Sequence, residues 1–149
     1  MNAGNVIQVR SSPRWLPIVA VLGLLWNIFG IFQFFASFGG SIEGLMQQGM
    51  TAEQARLYYG LPSWMTAAFA IGVFGGAIGC VLLWLRKPAA TAVFALSLSA
   101  YIVLYVGDIA LGVFAAFGPS QVAVLTLVVV IAATLLWVSR HARKHGFSV

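Results

Sequence analysis

The sequence predicts an all-α integral membrane protein: a bundle of four transmembrane helices with a short amphipathic helix in the outer loop between spans 1 and 2. Three observations predict it. Of 149 residues, 61% are hydrophobic and 7% charged, whereas a soluble domain carries about 25% charged residues. The apolar residues fall in four long blocks, each able to cross a hydrocarbon core of roughly 30 Å as a helix. The blocks lack the short alternating runs of an outer-membrane strand, which excludes a barrel. Seven of the eight Lys and Arg residues lie on one side of these blocks, as the cytoplasmic excess of positive charge in membrane proteins requires.

The chain is expected to form one membrane domain over 1–149, with spans at about 15–38, 64–85, 89–117 and 121–138 and a basic tail over 139–149. The first block, from Trp15 to Phe38, carries no charge and is too long for a signal-peptide core. The second stops at Arg86-Lys87-Pro88, and the third contains one acid, Asp108. Gly118-Pro119-Ser120 turns the chain into the fourth. Arg10, Arg14, Arg86, Lys87, Arg140, Arg143 and Lys144 share one side against Arg56 on the other, which puts both termini in the cytoplasm. Trp15, Trp64, Trp84 and Trp137 fall at span ends, where indoles favour the headgroup boundary. Within the loop from Gly39 to Pro62, Thr51-Ala52-Glu53-Gln54 is a capping-box pattern that starts a helix over Ala52 to Tyr59. That helix is expected to lie on the outer surface, with a gate or lid as its second role.

Small residues recur where helices need to meet. Gly23, Asn27 and Gly30 follow helical spacing on span 1, and Gly72, Gly75, Gly76 and Gly79 form overlapping small-xxx-small patterns on span 2. Packing inside one bundle is the first expectation for these glycines, and dimerisation the alternative. On span 3, Ser97, Tyr101, Tyr105 and Asp108 fall on one face. An unpaired acid within a span costs on the order of 2.5–3.5 kcal/mol on insertion scales, so Asp108 should face the bundle interior. Counting from the outer ends brings Gln33 to its depth, with Asn27 deeper, and Gln33, Tyr105 or Tyr101 is its expected partner. The fourth span carries only Thr126 and Thr134 as polar residues within its apolar stretch and is expected to be the most lipid-exposed.

Chemistry beyond this is sparse. No nucleophile–base set, metal-ligand cluster or phosphate-cradling loop appears, so neither enzymatic activity, nor a cofactor, nor a metal is expected. His141 and His145 lack a third ligand and sit among cations. Cys80, the single cysteine, lies in an apolar block and cannot form an intramolecular disulfide. The net charge of +5 comes from block ends, which favours anionic lipid headgroups over nucleic acid as the partner.

Leu25-Trp26-Asn27-Ile28-Phe29-Gly30, Tyr58 with Leu61-Pro62-Ser63-Trp64, Val73-Phe74-Gly75-Gly76 with Gly79, and Arg86-Lys87 before Val93-Phe94-Ala95-Leu96-Ser97-Leu98 occur in order. This pattern, over roughly the first two thirds of the chain, resembles a family of small bacterial four-helix membrane proteins, largely uncharacterised and often labelled sugar transporters. The resemblance implies the bacterial inner membrane. The family often has an acid after the Trp-Asn-Gly segment, where this sequence has Gln33.

Two functions remain as expectations. One is a non-enzymatic accessory or scaffold subunit, docked through its glycine-rich second span and basic tail to a larger membrane complex or to lipid. The alternative is a small-solute transporter acting as an oligomer, with the face bearing Asp108 along its path. For the orientation, an impermeant label applied to intact cells should modify the 39–62 loop and leave the carboxyl-terminal tail untouched.

Overall fold

The computed structural model describes residues 11–37 and 40–147. Arg10, Phe38, Gly39 and the last two tail residues, all used in the sequence reading, lie outside the described residues. Seven helices occur in order: α1 (Trp15–Ser37), α2 (Ile42–Gln47), α3 (Ala52–Tyr59), α4 (Ser63–Trp84), α5 (Ala89–Ala110), α6 (Val113–Phe117) and α7 (Pro119–Lys144), with no strand among the described residues. Of these, α1, α4, α5 and α7 are long and apolar enough to cross a membrane. At 1.5 Å per residue the shortest is about 33 Å long, a full hydrocarbon thickness. The protein is therefore an all-α, multi-pass membrane protein built on a four-helix bundle.

The four spans run alternately up and down between a loop end, capped by α2, α3 and α6, and a tail end, where α1 begins and α7 finishes. Helix α4 is the centre, packing on α1 along one side and α5 along the other. Its glycines set the register. A Cβ at Gly79 would come within 2.6 Å of Phe94 Cε1, one at Gly72 within 2.6 Å of Tyr101 Cε1, and one at Gly76 would strike the Asn27 side chain. Gly75 lies against Ser97. On the other helix, Gly23 receives Cys80 and Leu135, and Gly30 receives Val73. In both pairs the contacts step backwards along one helix as they step forwards along the other, as antiparallel neighbours require. The missing side chains bring the backbones together where lipid provides no hydrophobic drive.

At the tail end this packing is closed. Leu16, Ala20, Cys80, Leu83, Phe94, Leu135 and Ala142 belong to one buried cluster. A smaller cluster of Phe34, Val73, Tyr101 and Ala132 continues toward the loop end. The outside is as apolar as the inside: Leu22, Leu25, Phe29, Phe32 and Phe35 on α1 are each more than half exposed. Such a surface is a liability in water and the natural one in lipid.

Several boundaries differ from the sequence reading. The third span ends at Ala110 instead of continuing to residue 117, because Gly112 adopts a left-handed φ of 76° and reverses the chain into α6. A single helix over 89–117 would be about 43 Å long and exceed the bilayer core by nearly half. The fourth helix is longer than expected, running through the basic segment to Lys144. There the last turn carries His141, Arg143 and Lys144, which suit the negative end of the helix dipole. The loop holds two helices, and α2, capped by Ser41, was not foreseen. Helix α1, and not α7 as expected, is the more exposed span: 22% of its most apolar stretch is buried, against 28% in α7.

Between α4 and α5, Arg86 has a left-handed φ of 57°. Its N–H donates to Leu83 O and that of Lys87 to Leu82 O, closing the helix end in the manner usually given to glycine. Arginine at this position costs roughly 1–2 kcal/mol of backbone strain and places a cation at the tail-end boundary. Gly76→Ala should lower the stability of the detergent-solubilised protein by about 1–3 kcal/mol through overpacking against Asn27, read as a lower unfolding midpoint. Gly44→Ala, in the exposed α2 with ordinary space around it, should leave the midpoint nearly unchanged.

Candidate functional site

Asp108 lies in the last turn of α5 and Gln121 in the first turn of α7. They meet because the chain reverses at Gly112, runs through α6, and restarts at Gly118 with Pro119 at the first helical position. Gln121 Nε2 donates to Asp108 Oδ2 at 3.4 Å, a long hydrogen bond. The acid is 4% exposed, and among the described residues it forms no ion pair. An ionised carboxylate offers about four acceptor positions, so one long amide contact leaves most of that capacity unused.

The pair lines a loop-end cavity of about 270 Å³, together with the hydroxyl-bearing Ser37, Tyr58 and Thr66 and the apolar Phe69 and Leu104. A second space of about 410 Å³ shares Ser37, Tyr58, Phe69, Leu104 and Gln121 with it. That space lies between α1, through Trp26, Phe29 and Gln33, and α7, through Val124 and Val128. It is a lateral cleft. Helices α1 and α7 touch at the tail half, where Gly23 receives Leu135 and Trp15 approaches His141. Toward the loop end α1 stays with α4 at Gly30 and Val73, while α7 stays with α5 through the Tyr105–Thr126 hydroxyl pair. Phe29 and Val124, on the two rims, are 55% and 57% exposed.

The roof is tied down by specific bonds. Gln54 closes the capping box with Thr51, and its Nε2 donates to Ala116 O at 3.0 Å. Tyr58 meets Phe117 edge-on, and Gln48 Nε2 donates to Ala36 O. Below the cleft, at mid-bundle, the free space shrinks to a void of about 10 Å³ bounded by Asn27, Gly76, Phe94 and Ser97. Such a void holds at most one water.

The residues proposed from sequence are spread over several places. Asn27 is buried with its amide donating to Gly23 O in its own helix. Ser97 donates to Gly72 O across the α4–α5 contact at 2.7 Å. Tyr101 packs on Gly72 and forms part of the cleft wall. Tyr105 pairs with Thr126 instead of Asp108 and lies edge-on to Phe114 at 5.0 Å. Gln33 is exposed on the cleft rim. The partner expected for Asp108 was Gln33, Tyr105 or Tyr101, and the structure gives Gln121 instead. The helix registers place Gln33 level with about residue 103, on the order of 8 Å deeper than the acid.

Gln121 as the partner of Asp108, and the second bond of the capping residue Gln54 to Ala116, escaped the sequence reading. The signal for Gln121 was present, since a polar side chain in the first turn after a Gly-Pro turn falls at the depth of Asp108. Nothing local points Gln54 toward residue 116. At the tail end, the His141 and His145 rings lie 4.1 Å apart and His141 stacks on Trp137. Among the described residues no three His, Cys, Asp or Glu side chains gather as metal ligands.

Comparison with protein families, with curated proteins and with solved structures gives no match. What the fold and the site define is a class: a multi-pass, four-span membrane protein whose bundle is closed at one end and cleft at the other. Removing the Gln54 amide, as in Gln54→Ala, should release the roof. Hydrogen exchange over residues 42–60 should then accelerate about fivefold or more, as expected for loss of a cap and a tether worth roughly 1 kcal/mol or more together.

Proposed function

We propose that the chain is a non-enzymatic accessory subunit of the bacterial cytoplasmic membrane, with both termini in the cytoplasm and no cofactor or metal. The observation that carries this reading is the closed middle of the bundle. A void of about 10 Å³ above a packed tail-end core leaves a solute no continuous way through a single copy. The glycines of α4 are engaged within the bundle by Asn27, Phe94, Ser97 and Tyr101, so docking to a membrane partner falls to other surfaces. The tail end of α7, with Arg140, Arg143 and Lys144 exposed beside Arg14, suits an anionic leaflet.

A second reading is a small-solute transporter acting as an oligomer, in keeping with the resemblance to proteins labelled sugar transporters. The Asp108–Gln121 cavity favours it. The expected path along Ser97, Tyr101, Tyr105 and Asp108 finds less support, because Ser97 is sealed against Gly72 and Tyr105 turns toward Thr126.

Purification in mild detergent should return the chain with stoichiometric partner proteins, and a self-assembled oligomer alone would count against the subunit reading. Proteoliposomes of the pure chain should show no solute flux. Flux that disappears on Asp108→Asn would establish the transporter reading instead.

A further inference from the structure

The cleft between α1 and α7 differs from a water-filled solute pocket in two respects. It opens sideways, between the exposed Phe29 and Val124, at a depth where those side chains meet acyl chains. It is also elongated: on α7 it runs from Gln121 to Val128, about two helical turns or 10 Å, and on α1 from Ser37 to Trp26, roughly 16 Å. Its walls along that length are mainly aromatic and aliphatic, including Trp26, Phe29, Val73 and Val128, with Gln33 on the rim and Gln48 toward the roof. At the loop end the same space joins the cavity that holds the Asp108 carboxylate and the Gln121 amide. A long apolar groove ending in a polar pocket near the headgroup boundary has the shape of an amphiphile.

Charge selects the head. Among the described residues no Lys or Arg lines either space, so an anionic headgroup would meet a carboxylate and no countercharge from them. The three acids of the chain, Glu43, Glu53 and Asp108, all lie toward the loop end, where Arg56 is the one basic residue among those described. Asp108 has unused acceptor capacity and, among the described residues, no ion-pair partner. Ser37 commits its hydroxyl proton to Gln33 O, leaving its oxygen as an acceptor. The complement is a head that carries positive charge and donates hydrogen bonds.

We propose that the cleft binds a membrane-borne amphiphile with an amine head, its ammonium donating to Asp108 at the loop end and its hydrocarbon chain lying between α1 and α7. This goes beyond the subunit reading and is independent of it.

The test uses the full chain in a neutral maltoside detergent, titrated with three probes of one chain length: a straight-chain primary alkylamine, the alkanol and the alkyl sulfate. The readout is apparent affinity from the shift of the unfolding midpoint. The amine should bind about tenfold tighter than the alkanol or better, as a charge-assisted hydrogen bond in a sheltered site implies, and the sulfate should bind weakest. Asp108→Asn should reduce the preference for amine over alkanol to less than about threefold. Val124→Trp, a change on an exposed rim that fills the groove, should weaken amine and alkanol alike by about tenfold. Equal binding of amine and alkanol to the unaltered protein, a sulfate that binds as well as the amine, a preference that survives Asp108→Asn, or affinities indifferent to Val124→Trp would each overturn the proposal. Should Asp108→Asn fail to fold, the ranking of the three probes on the unaltered chain decides.

Discussion

Close backbone approach at α4 is the constraint on which the remaining structure depends. In lipid, burying an apolar side chain against a helix gives little over leaving it among acyl chains, so helices associate through packing and hydrogen bonds. Gly72, Gly76 and Gly79 remove side chains where Tyr101, Asn27 and Phe94 need the space. Those three large groups fill the room and fix α1 and α5 against α4. The Ser97 hydroxyl on Gly72 O adds a cross-helix bond at the same contact. A substitution on α4 therefore acts on both neighbours together, whereas one on α7 acts mainly on α5.

The cleft follows from the same economy. The membrane-crossing part of α7, from Gln121 to Val138, has no glycine, so it cannot come as close to a neighbour as α4 does. It meets α1 where α1 itself has the gap, at Gly23 against Leu135. Beyond that point α1 follows α4 and α7 follows α5, and the two diverge toward the loop end. The roof helices close the top of the space without filling it, held by Gln54 on Ala116 and Tyr58 on Phe117. A bundle packed by glycine along two interfaces and only locally along a third is left open on one side.

Polar groups within the spans divide by how they are satisfied. Asn27, Ser99 and Thr134 bond to carbonyls four residues earlier in their own helices, and so make no demand on the bundle. Among the described residues no buried side-chain nitrogen or oxygen lacks a partner. Asp108 is the exception in kind, with its one hydrogen bond donated by another helix at 3.4 Å and its surroundings hollow. Its place in the last turn of α5 keeps the desolvation cost below that of an acid at the bilayer centre.

The number of spans, their approximate limits, the capping box at Thr51 and the glycines that meet other helices were legible in the sequence, because length, hydropathy and side-chain size act locally or along one helix face. The break at Gly112 was legible in principle, yet an unbroken apolar run hides a turn that only a left-handed residue reveals. The pairing of Asp108 with Gln121 was not determined by composition or spacing. It depends on how far α6 returns the chain and on which helix lies beside α5 at that depth. The sequence by itself determined that four helices sit in a membrane with all but one of their basic residues on one side, since transfer free energies sum residue by residue. Which helices touch, which stay apart and where a carboxylate is left facing empty space were decided by the tertiary structure, because contact between helices depends on the fit of both surfaces at once.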